Sequence, residues 1–121
     1  MSRRTFDRLV AEAVASLPAD FRAALEEMPV RVLDRPEPGL LREMGMAEDE
    51  LLLGLHVGVP LTERSVEDAP LPSVIHLYVE DHEDACDSLE ELREQVRVTL
   101  LHEVGHHFGL DEDDLERLGY D

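Results

Sequence analysis

The segment from Leu89 to Phe108 restricts the folds open to this chain more than any other stretch. Leu92, Val96, Leu100 and Val104 recur along it at four-residue spacing, Asp87 or Ser88 can cap its start, and Glu90 or Glu91 can complete a capping box. Gly109 offers the left-handed residue that ends it. The pattern predicts one long helix from Leu89 to Phe108, followed by a short helix that Asp111 caps and that runs through Leu115 and Leu118.

Upstream, Phe6, Leu9, Val10, Ala13, Val14 and Leu17 fall on one helical stripe, with Thr5 as cap and Pro18 as stop. Asp20 to Met28 repeats the pattern in short form, and Pro29 closes it. The period then changes: Val30, Val32 and Leu33 form a β-prone run that ends in the turn-rich stretch from Asp34 to Gly39. Leu40 to Met46 reads as one or two helical turns. Leu51 to Val59 reads as a strand buried on both faces, with Gly54 and Gly58 marking a bulge or a close backbone approach. Pro60 to Pro72 reads as a long loop. Ser73 to Val79 alternates, with Ile75, Leu77 and Val79 on one face and Val74, His76 and Tyr78 on the other, which is expected to be open. Glu80 to Asp87 reads as an acidic connector. Two helices, a few short strands and two more helices predict a single α+β domain over residues 1–121, with helices packed on a small sheet.

Composition removes several classes of function. Apolar residues are 43% of the 121 and charged residues 33%, enough to bury a core and stay dissolved. Eleven basic residues against 29 acidic ones give a net charge of -18, a field that repels phosphate backbones and anionic lipid, so nucleic acid and membrane surfaces are excluded as partners. Every basic residue is Arg, which leaves neither a Schiff-base lysine nor a P-loop lysine. Cys86 stands alone, so no internal disulfide and no thiolate zinc cluster can form, and its acidic neighbours favour an inert thiol. No apolar run approaches the roughly 20 residues that span a bilayer. The expected location is cytoplasmic.

The long helix carries His102, Glu103 and His106 in the H-E-x-x-H pattern. Residues four apart on an α-helix are separated by about 40° and one turn, so both imidazoles can reach one metal ion. Glu103, about 100° round from His102, can stand beside the ion and take a proton from water. Gly109, seven positions after His102, breaks the helix and lets the chain return, and Glu112 then occupies the position of a third ligand, flanked by Asp111 and Asp113. Three protein ligands leave a fourth position for water, as in catalytic rather than structural zinc sites. His107 points about 100° away from His106 and suits the surface or packing around the site rather than ligation. His56 and His82 carry no spacing argument. His76 and Tyr78 lie on the face expected to be open, exposed to solvent or available to an added peptide strand.

The run from His102 to Glu112 resembles the zincin metallopeptidases, above all the small bacterial minimal zincins with the motif H-E-x-x-H-x-x-G-x-x-D. Glu112 stands where that family has Asp. The resemblance extends upstream through Leu53-Gly54-Leu55 and the segment from Gly58 to Ser65. It implies a three-stranded sheet, a long active-site helix and a zinc-dependent metallopeptidase or related hydrolase. By motif position it assigns metal ligation to His102, His106 and Glu112 and the general-base role to Glu103. All four Met residues precede the motif, so the Met-turn of metzincins is absent. Nine residues follow Glu112, which leads to the expectation that a partner protein or a second copy walls the cleft. The competing reading is a non-catalytic metal-binding or protein-interaction module, which would not require Glu103. A helical packing domain carrying the pattern by accident would bind no metal.

Overall fold

Ser2, rather than Thr5, caps the first helix: its hydroxyl accepts the Thr5 amide at 3.1 Å. The computed structural model describes residues 2–58 and 73–118. Within them the order is α1 (Arg3–Ser16), α2 (Ala19–Leu25), β1 (Val30–Leu33), α3 (Pro38–Glu43), β2 (Gly54–Val57), β3 (Val74–Tyr78), α4 (Val79–Ala85), α5 (Leu89–His107) and α6 (Glu112–Arg117). The α+β class is as the sequence predicts, and among the described residues the sheet has three strands with a long helix beside it, as the family resemblance implies. The loop expected over Pro60 to Pro72 lies outside the described residues. Among the described residues no helix is long and apolar enough to cross a membrane.

The sheet runs β1-β3-β2, with β1 parallel and β2 antiparallel to the central strand. Ile75 and Leu77 are fully buried from one face of β3 and meet Val96, Leu100 and Val104 of α5, while Phe6, Leu9 and Ala13 of α1 and Phe21 of α2 close the core. Each fully buried aliphatic side chain contributes about 1.5–3 kcal/mol relative to exposure. Helix α5 packs on α1, α2 and β2, so the residues of its last turns are held at the junction of helix and sheet.

Three further expectations need correction. The strand expected over Leu51 to Val59, buried on both faces, is shorter: among the described residues β2 covers Gly54–Val57, lies at an edge of the sheet and leaves Val57 40% exposed, while Val59 lies outside the described residues. An edge strand has one neighbour, so apolar composition alone could not distinguish it from a central one. Second, Glu80 to Asp87 is largely helix. Val79 leaves the strand to start α4, where Glu80 and Asp81 sit favourably at the helix N-terminus, and the Asp81 carboxylate accepts the Leu52 amide at 2.8 Å. Third, the face of β3 bearing Tyr78 is open only in part: Val74 and His76 are half-buried and Tyr78 is buried. Tyr78 is 1% exposed, and burial, reinforced by Asp81 and Glu37, pushes its hydroxyl pKa up.

Helix α4 also buries His82 completely. Against the Tyr78 carbonyl, 2.8 Å away, Nδ1 must carry the proton, and Nε2 lies 3.1 Å from Thr99 Oγ1 on α5. Burial lowers the His82 pKa, so the ring belongs to the core as a neutral group. The last short helix is α6, which ends at Arg117 and leaves Leu118 as its exposed C-cap.

Candidate metal and hydrolytic site

Helix α5 is defined at both ends by local chemistry. Ser88 Oγ accepts the Glu91 amide at 3.1 Å and Glu91 Oε2 accepts the Asp87 amide at 3.0 Å, which satisfies donors the first turn leaves unpaired. At the other end the Gly109 amide donates to His106 O and the Leu110 amide to Gly105 O, both at 2.9 Å. This is a Schellman closure, and it requires the positive φ of 80° that Gly109 adopts. Asp111 then caps α6: its Oδ1 accepts the Asp114 amide at 2.8 Å, while Asp114 Oδ2 accepts the Asp111 amide at 3.1 Å.

Two further glycines set how closely the neighbouring elements approach. A Cβ on Gly105 would stand 2.7 Å from Leu115 Cδ2, so the absent side chain lets α6 lie against α5 beside His106. A Cβ on Gly54 would stand 2.6 Å from Thr99 Cγ2 and 3.3 Å from Glu103 Cγ, so β2 crosses α5 directly over Glu103. The close backbone approach expected at Gly54 is therefore an approach of strand to helix. Its partner in the site, His56, carries no sequence signal of its own.

Glu103 is 9% exposed, and its Oε1 accepts the His56 main-chain amide at 2.9 Å and faces His106 Nδ1 at 3.3 Å. In a neutral His106 ring, an Nδ1–H donated to Glu103 leaves the lone pair on Nε2. The hydrogen bond with Glu103 raises the His106 pKa against the opposing effect of burial, and the charges of Glu103 and Glu112 add to the rise. His102 Nε2 is buried without a hydrogen-bond partner among the described residues. Such an orphan costs about 1–3 kcal/mol and calls for an explanation. His107, 8% exposed, packs edge-on against the His56 ring at 5.4 Å and the Phe108 ring at 5.6 Å, in keeping with a packing role.

Of the residues singled out by sequence, Glu103 and His106 are in contact. Glu112 opens α6 with an exposed side chain, near enough to His106 to act on it through charge. Asp111 is engaged as a helix cap, and Asp113 is exposed. Among the described residues no three His, Cys, Asp or Glu side chains are gathered closely enough to hold an ion. The donor set still suits a divalent metal, since two imidazoles and a carboxylate match zinc and one imidazole nitrogen is buried without a partner.

Residues 25–120 match the family model described as zincin-like metallopeptidase, and the chain belongs to that family. Among solved structures it is similar to a conserved hypothetical protein from Thermus thermophilus, with a TM-score of 0.58 and 25% identity over 99% of this chain and 100% of the other. No curated protein matches the chain significantly.

Proposed function

We propose that this protein is a cytoplasmic zinc-dependent peptidase in which His102, His106 and Glu112 hold the ion and Glu103 is the general base. The observation that carries the reading is the buried, unpartnered Nε2 of His102, one turn from a His106 whose Nδ1 is engaged by Glu103. Zinc held by these residues would polarise a peptide carbonyl and make an attacking water more acidic. Glu103 accepts the proton of that water and can return it to the leaving amine. Among the three neighbouring acids Glu112 is favoured as third ligand, because its charge reaches His106 while the Asp111 carboxylate is occupied as a cap.

Elemental analysis after zinc loading is expected to give about one equivalent, lost in the His102→Ala, His106→Ala double variant. Equal zinc in that variant refutes the site. Loss of zinc in Asp113→Ala but not in Glu112→Ala would move the third ligand. Neutral or basic peptides are the substrates to try first, because a chain at -18 repels acidic ones. The exposed place of Glu112 favours a second reading, in which a partner protein or a second copy completes the cleft. Zinc binding without turnover by the monomer, and turnover on association, would select it.

A further inference from the structure

Among the described residues β2 is an outer strand of the sheet, and its outward side carries a donor that is already in use. Tyr78 N–H donates to Leu53 O at 3.0 Å, and the pairing continues from Gly54↔Leu77 to Val57↔Val74. Facing residues of an antiparallel pair alternate between hydrogen-bonded and non-bonded. The amides of Leu55 and Val57 therefore face β3, and the amide of His56 faces away from it. That amide does not go to water. Glu103 Oε1 accepts it at 2.9 Å, reaching the strand from α5 across the gap that Gly54 leaves open.

An outward N–H on an edge strand is the group an extended peptide claims when it adds to a sheet. We propose that Glu103 closes the β2 edge in the resting protein, with the His56 main-chain amide as its dock, so that the carboxylate and an arriving extended peptide compete for one donor. A peptide carbonyl that takes the His56 N–H releases Glu103 from the strand, while the His106 contact at 3.3 Å keeps the carboxylate within the site. His56 is thus a positioning residue that acts on Glu103 through its main chain. The peptide half of this inference rests on the peptidase reading above, and the dock itself does not.

The test uses the full chain in the presence of chelator, so neither measurement depends on zinc or turnover. Amide hydrogen exchange followed by NMR should show the His56 amide exchanging at least tenfold faster in Glu103→Ala than in wild type, with Leu55 and Val57 unchanged. Glu103→Gln keeps an accepting carbonyl and should stay within about threefold of wild type. Unchanged His56 exchange in Glu103→Ala overturns the dock. If Leu55 and Val57 also exchange faster, the sheet has opened, and Glu103→Asp, whose shorter arm withdraws the carboxylate, is judged on the same criteria. In the second measurement, an acetylated and amidated neutral hexapeptide of Ala, Val and Thr is titrated against both proteins. It should shift the His56 amide and bind Glu103→Ala at least tenfold more tightly than wild type. Equal affinity, shifts away from β2, or no binding to either protein overturns the competition. Zinc content is measured separately, so a failed metal site and a failed dock give different results.

Discussion

Among the described residues the sheet has two outer edges, closed by opposite charges in opposite surroundings. At β1 the Arg3 guanidinium donates to Val32 O, with the Asp34 and Asp7 carboxylates 3.4 and 3.6 Å from it. The Arg3 side chain is 49% exposed. At β2 the Glu103 carboxylate accepts the His56 amide, and its side chain is only 12% exposed. Both contacts answer the same problem, the unpaired main-chain groups of an edge strand. Water and salt weaken the first, whereas burial strengthens the second and makes the loss of its partner costly. The β1 edge is sealed by a group that also pairs with Asp7 and Asp34 and stands outside the H-E-x-x-H pattern. The β2 edge is sealed by a group of the H-E-x-x-H pattern, which ties the state of that edge to the candidate site.

The most severe way to break this comparison is Glu103→Gln. Turnover of a neutral peptide should fall by about 10²–10⁴, the usual contribution of a general base, while thermal unfolding stays near that of wild type. Arg3→Gln should leave turnover unchanged. Comparable turnover in Glu103→Gln and wild type would reduce the β2 contact to the same sealing role as the β1 contact.

Gly54→Ala tests whether the closeness of β2 to α5 is needed. The added Cβ would meet Thr99 Cγ2 and the His76 carbonyl, which lies 3.2 Å from it. Overpacking of this kind costs about 1–3 kcal/mol, to be read by urea unfolding. A cost below about 0.5 kcal/mol, within the range of ordinary surface substitutions, would mean that the strand can lift off the helix freely.

Acid sharpens the comparison from beneath the site. Burial holds the pKa values of His82 and His76 below the ordinary 6.5, so the unfolded chain binds their protons first. Stability is therefore undiminished by these groups above about pH 6.5 and is lost as pH falls from there toward the lower folded values. Glu103 acts on His106 in the reverse direction, so the reading is the difference between variants. His82→Gln should flatten the loss measured by denaturant unfolding between about pH 6.5 and 5, the side on which a ring with a lowered pKa takes up its proton. An unaltered slope would place the acid response elsewhere.

The smallest effect belongs to the β1 edge. Arg3→Ala should cost about 0.2–1 kcal/mol in low salt, measured by urea unfolding, and less in high salt. A larger, salt-insensitive loss would show that this contact is as deeply held as the one at Glu103.

Much of this was legible in the sequence because it depends on neighbours in the chain. Helical periodicity placed α1, α2 and α5, alternation placed β3, and Gly109 with Asp111 placed the turn and the cap that follow the motif. The spacing of His102, Glu103 and His106 likewise sets their places on one helix before any packing occurs. Side-chain spacing along a helix, cap chemistry and a positive φ at glycine are local matters, and local sequence determines them. Only the tertiary structure decided that β2 is an edge strand, that α4 continues directly from β3, and that His82 and Tyr78 are buried. It also decided that the His56 amide meets Glu103 across 47 residues of chain. A main-chain donor has no residue type to announce it, and whether it finds β3, water or a carboxylate depends on which surface α5 presents to the strand once the core has closed.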